Sequence, residues 1–400
     1  MSSKSAPVLS ICILTYNREK FLRKLLDSIL EQNNSKLIEI LVLDNGSDSN
    51  TKNLLKIYFN KLPNLRVIEN QQNQRGGPAY RKLIEHARGI WVLSPGDDDV
   101  FIENSLQIVL EKCHTFLDDL TITLLPFGAL TQNETDHRLS KVFKPDEASE
   151  QHVIFSKLFF ESMYWMPATV FRRSSVINSR IPNSLTVLDW WLWINATCKG
   201  KVISDKTPIV KYRIHSGQEQ KSYVTELWNL DQTSTFLDLI RNGCIHEYIH
   251  TLKNNQIMQL IELLALQVRD RKLTFHQKLL VFELSKLIFS INKNFAKEIV
   301  TFLISAQIDP RLTSAVLSIP LTKDDIEMAI EQAEVRQGRS LKGKIFANSE
   351  FTEIEEFYTQ LLAQERELEK ISEITPFERK IVLISRKIRN LNFIKTIFKR

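Results

Sequence analysis

Three adjacent carboxylates, Asp97-Asp98-Asp99, are the sharpest chemical feature of this 400-residue sequence. They follow the apolar run 90–93 through the turn Ser94-Pro95-Gly96. Side by side they repel one another and call for a compensating cation. Hard divalent ions such as Mg²⁺ or Mn²⁺ take oxygen ligands and often bridge to substrate phosphates. The plainer alternatives are a solvated acidic loop, or an Asp that caps the helix expected near residues 103–112. The triplet's place at the end of a buried strand, beside two other polar strand ends, favours the cation. Asp44 follows Leu41-Val42-Leu43 and precedes Asn45-Gly46-Ser47. Its carboxylate could accept hydrogen bonds from a base or a ribose. Equally, Asp-Asn-Gly-Ser reads as a tight turn into the next helix.

These residues need elements to hold them. Residues 8–14 form an apolar, β-rich run, and 37–43 form another, ending at Asp44-Asn45-Gly46. Segments 65–69 and 90–93 read as shorter strands. Between them, 18–32, 49–60 and 78–87 show helical spacing of apolar residues. Continuous apolar strands alternating with amphipathic helices predict a parallel sheet covered on both faces. In such sheets ligands bind at the carboxyl ends of the strands. Here those ends carry Tyr16-Asn17-Arg18, Asp44-Asn45-Gly46 and Asp97-Asp98-Asp99.

Eight of the 11 Gly and nine of the 12 Pro lie before residue 225. Both residues punctuate turns and are poor in helix interiors. The second part therefore reads as mainly helical, with three-four spacing over 257–268, 276–291, 296–306 and 351–371. The division expected is 1–224, 225–376 and 377–400. Composition is that of a globular protein, 43% hydrophobic and 25% charged. No apolar run is long enough to span a bilayer as a helix. The four cysteines are far apart with no CxxC pair, which argues against a zinc site or disulfide framework and fits a reducing cytoplasm. The N-terminal stretch reads as a mature soluble start. A net charge of +6 is too weak to imply nucleic acid.

Four stretches then fall into a known pattern: VLSICILTYNREKFLRKLLDSILEQ, IEILVLDNGSDSNT, NQRGGPAYRKLIEHARGIWVLSPGDDDV and LTVLDWWLWINATCKGKVISDKTPIVKYRIHSG. In order and spacing they resemble the family 2 glycosyltransferases, inverting enzymes of the GT-A fold, over about residues 6–220. The resemblance implies an α/β, Rossmann-like, mostly parallel sheet, with a nucleotide-sugar-binding half (8–112) and an acceptor half (113–224). It implies that Tyr16, flanked by Thr15, Asn17 and Arg18, lines the base pocket, and that Asp44 binds the base or ribose. Arg75 would approach the diphosphate or base. Asp97 and Asp98 would reach ribose and metal, with Asp99 as the direct ligand of Mn²⁺ or Mg²⁺. Asp189, in Leu188-Asp189-Trp190-Trp191, would be the base that takes the acceptor hydroxyl's proton. It could also cap the helix that follows. His215 would coordinate the metal or touch the diphosphate, or be a hydrogen-bonded structural residue. Trp165, Trp190, Trp191 and Trp193 cluster in the acceptor half, where rings could stack on sugars or pack a core. The chain departs from the family at Arg81, where Asn is frequent, at Leu188, often Glu, and in the tighter turn Ser94-Pro95-Gly96.

Residues 377–400 hold eight basic side chains and one acid, with Ile381, Ile384, Ile388, Leu391, Ile394 and Phe398 on one helical stripe. Such a helix can lie peripherally on an anionic membrane, here the cytoplasmic face, or dock on the helical part. The expected activity is transfer of a sugar from a nucleotide-diphosphate sugar to a glycan or lipid-linked glycan, in surface polysaccharide biosynthesis. A nucleotidyltransferase would share the sheet and acidic site but needs a Gly-rich basic loop after the first strand, where Tyr16-Asn17-Arg18-Glu19-Lys20 stands. A non-catalytic glycan-binding scaffold is the third reading.

Overall fold

The apolar runs become a parallel sheet in the computed structural model. It describes residues 6–32, 36–74, 76–133, 139–143, 150–179, 188–215, 233, 235–241, 243–269, 271, 273–308 and 323–337. Strands β1 (Leu9–Thr15), β2 (Ile38–Asp44), β3 (Leu65–Glu69) and β4 (Trp91–Leu93) are mutually parallel, with β1 between β2 and β4. All seven residues of β2 are buried, which is why its sequence shows no polar alternation. Helices α1 (Glu19–Leu30), α2 (Ser49–Lys61) and α3 (Gly76–His86) are the crossovers. Leu22, Leu25, Leu26 and Ile29 of α1 recur at three-four spacing and are fully buried. Because the strands are parallel, their carboxyl ends share one edge, where Thr15 stands directly opposite Asp44.

The sheet continues past β4 to seven strands. Next come β5 (Val100–Phe101), α4 (Ser105–Thr115), β6 (Ile122–Pro126), β7 (Gly128–Asn133), β8 (Leu139–Phe143), α5 (Gln151–Leu158) and β9 (Thr169–Arg172). A short α6 (Arg173–Val176), then α7 (Leu188–Lys199), β10 (Lys201–Val202) and β11 (Pro208–Ile214) complete the α/β region. The order is β10-β6-β9-β4-β1-β2-β3. The parallel rule breaks at β9, which runs against both of its neighbours, β4 and β6. A parallel entry would need a crossover helix. Here the chain enters from the 3₁₀ turn Met166–Ala168 at the carboxyl edge, where Thr169 pairs with Pro126 at the end of β6. It can only run back.

A second sheet, β5-β11-β7-β8, stands at that same edge. β11 pairs antiparallel with β5, Lys211 opposite Val100, so each step up β11 moves back along the chain toward the acidic triplet. This register carries Arg213 and His215 to Asp98.

Beyond residue 232 the described chain is helical: α8 (Cys244–Thr251), α9 (Asn254–Arg269), α10 (Phe275–Ile291), α11 (Ala296–Ser305) and α12 (Lys323–Gln337). A capping box of Thr274 and Gln277 starts α10. α8 packs on α7, and α9 packs on α5. The chain divides into two compact units, Met1–Phe346 and Ala347–Arg400. The helices as far as α12 thus belong to the same unit as the sheet. The amphipathic stretch 351–371, the basic stretch 377–400 and the boundary expected at 224 lie outside the described residues. No helix among the described residues is long and apolar enough to cross a membrane.

Candidate functional site

The end of β1, the turn into α1 and the loop after β4 converge at the carboxyl edge. A bridge between Leu14 and Gly96 holds the loop against β1. Thr15 Oγ1 donates to Asp97 Oδ2 at 2.8 Å. The Arg18 guanidinium reaches across from the start of α1. Its Nη1 lies 3.2 Å from Asp97 Oδ1 and 2.8 Å from Asp98 Oδ2. His215 Nε2 meets the same Asp98 Oδ2 at 2.9 Å. The His215 ring stacks on Phe21 of α1, centroids 4.5 Å apart. Arg213 also uses Phe21, with its guanidinium carbon 4.9 Å from the ring centroid, while its Nε donates to the Asp98 carbonyl. Asp98 is therefore gripped by three side chains at once, Arg18 from the start of α1 and Arg213 and His215 from β11 and its end.

Asp99 differs. Its Oδ2 accepts the Gly96 N–H at 2.8 Å, closing a turn in which the Asp99 N–H returns to the Gly96 carbonyl. Its Oδ1 is buried, and no described residue donates to it. A buried carboxylate oxygen without a donor is costly unless a cation meets it. The triplet is no helix cap: the residue before α4 is Asn104, and no side chain caps that helix. Burial pushes the Asp97 carboxyl up to about 7, against the pull of Arg18. Asp99 is raised well above the ordinary carboxylate value by burial and by the charge of Asp98. Burial works against the Arg18 guanidinium, but Asp97 and Asp98 more than offset it and its pKa rises.

The Asp44 turn is wired into the same edge. Asp44 Oδ1 accepts the Ser47 N–H at 2.8 Å, so the tight-turn role is real. Its other oxygen, Oδ2, is buried with no described donor. Asn17, at a left-handed φ of 53°, donates its N–H to Ser47 Oγ, and its Oδ1 accepts the Asp48 N–H. Asn45 bonds Asn73, Gln74 and Asn70, tying the loop before α3 to the sheet. Tyr16 is 41% exposed beside these groups, so its ring is available and is not core packing. Arg75 lies outside the described residues.

Asp189 sits in the first turn of α7, half-buried. It accepts the Trp190 N–H at 2.8 Å and faces Ser162 Oγ at 3.4 Å. Burial raises its carboxyl above the ordinary value, opposed by those two contacts. Its hydrogen bonds do not join it to the Asp97–Asp99 cluster. Trp191 and Trp193 are core residues. Trp165, tilted on Tyr212 at 5.1 Å, and Trp190, edge-on to Phe236 at 5.0 Å, stay half-buried.

The described residues contain no group of three or more His, Cys, Asp or Glu placed to hold a metal ion. Sequence reasoning missed Phe21, Arg213 and Asn45. For Arg213 the signal was available: a basic residue two positions before His215 on a strand shares its face.

Residues 10–176 match the family described as "Glycosyl transferase family 2". An uncharacterized glycosyltransferase of Methanocaldococcus jannaschii is 25% identical over 172 residues, 43% of this chain and 57% of that protein. An uncharacterized glycosyltransferase of Rickettsia typhi is 23% identical over 316 residues, 73% of this chain and 95% of that protein. The GalNAc(5)-diNAcBac-PP-undecaprenol beta-1,3-glucosyltransferase of Campylobacter jejuni is 27% identical over 202 residues, 47% of this chain and 59% of that protein. Among solved structures, S. aureus TarS in complex with UDP-GlcNAc superposes with a TM-score of 0.50 at 20% identity, covering 83% of this chain and 92% of that one. Sheet order, carboxyl-edge site and matches agree: residues 10–176 are similar to glycosyl transferase family 2, on a GT-A fold followed by a helical C-terminal region.

Proposed function

We propose that the chain is a metal-dependent inverting glycosyltransferase that moves one sugar from a nucleotide-diphosphate sugar to a hydroxyl of a glycan or lipid-linked glycan, in surface polysaccharide biosynthesis. The observation that carries this reading is the carboxyl-edge cluster. Asp44 and Asp99 each keep a buried oxygen with no described donor, on either side of a loop rich in Arg, Asn and Thr contacts. The base and ribose would lie along Tyr16 and Asp44, with Thr15 and Asn17 fixing the edge and Arg75 on the diphosphate or base. Asp97 and Asp98 would reach ribose and metal. Asp99, and His215 one contact away on Asp98, would hold Mn²⁺ or Mg²⁺. That ion, when bound, would neutralise charge on the departing diphosphate.

The remaining chemistry falls to Asp189. Its carboxylate accepts the proton of the acceptor hydroxyl as that oxygen bonds to the anomeric carbon. The bond from that carbon to the diphosphate oxygen breaks, and the nucleoside diphosphate leaves with the electron pair. One displacement inverts the centre. The C. jejuni relative's name specifies an undecaprenol-linked acceptor, which supports a lipid-linked acceptor here. So does the basic amphipathic stretch 377–400, which would rest on the anionic cytoplasmic face of the membrane.

The test is a screen across nucleotide sugars, scored by nucleoside diphosphate release, followed by NMR of the glycoside. The product should have the opposite anomeric configuration to the donor. EDTA and Asp99→Asn should each abolish release while the fold survives, because Asp99 lies in a loop. Retention of configuration, or full activity in EDTA, would falsify the reading.

A further inference from the structure

The contacts of Arg18 point to a role beyond touching the donor. Its Nη1 sits between two carboxylates of the triplet, 3.2 Å from Asp97 and 2.8 Å from Asp98. The Asp97 and Asp98 side chains are 8% and 15% exposed, and that of Arg18 is 26% exposed. A guanidinium so placed already supplies the positive charge that the acidic loop demands. It is also the most exposed of the three basic side chains around the triplet, since His215 and Arg213 are buried. Arg213 is fixed through the Asp98 backbone carbonyl and the Phe21 ring, and His215 is stacked on that same ring. Arg18, in contrast, reaches the triplet from the turn before α1 through its guanidinium.

We infer that Arg18 is an exchangeable internal cation. In the donor-free protein it holds Asp97 and Asp98. When a divalent cation and a nucleoside diphosphate arrive together, Arg18 leaves those carboxylates for the phosphate oxygens. Planar guanidinium groups bind phosphate in two-point fashion, so the exchange replaces one charged partner with another of matching geometry. The inference rests on the metal-dependent reading above. It adds that cation and nucleotide must bind cooperatively. The cation alone competes with Arg18 for the carboxylates. The nucleotide removes the competitor by giving it a better partner. Coupling of this kind is reciprocal, and typical values run from about 5-fold to about 150-fold in affinity.

The experiment is calorimetric titration of Mn²⁺ into the full chain, with and without saturating nucleoside diphosphate, taking UDP and GDP in turn. Wild type should bind Mn²⁺ at least about fivefold more tightly when the nucleotide is present. Arg18→Gln should bind Mn²⁺ alone more tightly than wild type, because the competitor is gone, and most of the nucleotide's enhancement should vanish. Arg18→Lys keeps a charge but not the planar fork, and should fall between the two. Circular dichroism melts of each variant show that it is folded. If Arg18→Gln leaves Mn²⁺ affinity unchanged and only weakens nucleotide binding, Arg18 is a plain donor contact and the exchange is wrong. If neither protein binds Mn²⁺ under any condition, the metal-dependent reading itself falls, and the exchange falls with it.

Discussion

Asp189 carries the sharpest claim at the scale of single residues. Asp189→Asn keeps the acceptor for the Trp190 N–H but cannot take a proton. Turnover should fall about 10²–10⁴-fold, the usual contribution of a general base, with donor affinity unchanged. A variant within a few-fold of wild type would reduce Asp189 to a helix-start residue. The direction of its pKa adds a second check. Burial raises the carboxyl, so a base that must be ionised loses its proton at higher pH than an ordinary aspartate. The rate should therefore climb with pH through an inflection above the usual carboxylate value. Asp189→Asn should lack that inflection. Much of the site was legible at this scale because charge is legible: Asp44, the Asp97–Asp99 triplet and Asp189 announce themselves as acids at strand or helix ends. What escaped was partnership. That Arg18 bonds Asp97 and Asp98, or that Phe21 carries both His215 and Arg213, depends on which strand ends meet in space. Spacing along the chain contains no such information.

Two side chains test how the elements are assembled. Arg172, the last residue of β9, is buried and donates to the backbone carbonyls of Phe116, Leu117, Asp119 and Ile122, with its guanidinium 4.3 Å from the centre of the Trp91 ring. It stitches the turn between α4 and β6 onto the antiparallel strand. Arg172→Met should cost about 2–4 kcal/mol, since it leaves the buried Ile122 carbonyl and three partly buried ones without their donor, and urea denaturation measures it. Gly46 is the second case. Its φ is 82°, and a Cβ there would lie 2.7 Å from the backbone of Gln72. Gly46→Ala should cost about 1–3 kcal/mol and weaken donor binding, because the Asp44 turn must shift. Element boundaries followed the sequence closely for β1, β2, β3 and α1 to α3, where the apolar period is clear. The antiparallel course of β9 was hidden. A four-residue strand, TVFR, has no period to show, and direction is set by the route the chain takes into the sheet.

For the whole molecule, the open question is attachment. Residues 377–400 carry their basic, amphipathic pattern in sequence alone. Each basic residue near an anionic surface contributes about 1 kcal/mol, less as salt rises. Deleting 377–400 should reduce flotation with anionic vesicles and leave nucleotide-sugar binding intact, since the donor residues all lie before residue 216. If full-length protein also stays in the soluble fraction at low salt, the stretch is a docked helix.

The reversed strand has a further consequence, in the order of synthesis. β4 pairs with β1 on one side, but its other side is closed only by β9, with Val92 opposite Phe171. While the chain emerges from the ribosome, the strands that carry the candidate site are therefore complete long before the strand that seals them exists. Until Arg172 is out, β4 offers a bare apolar edge, the surface on which chains pair wrongly. Nascent fragments ending after α4 should thus aggregate or recruit chaperones, whereas fragments reaching past α7 should not. The long pairing also raises the entropy to be overcome before the sheet closes, so folding should be slow for a molecule whose first three crossovers are local.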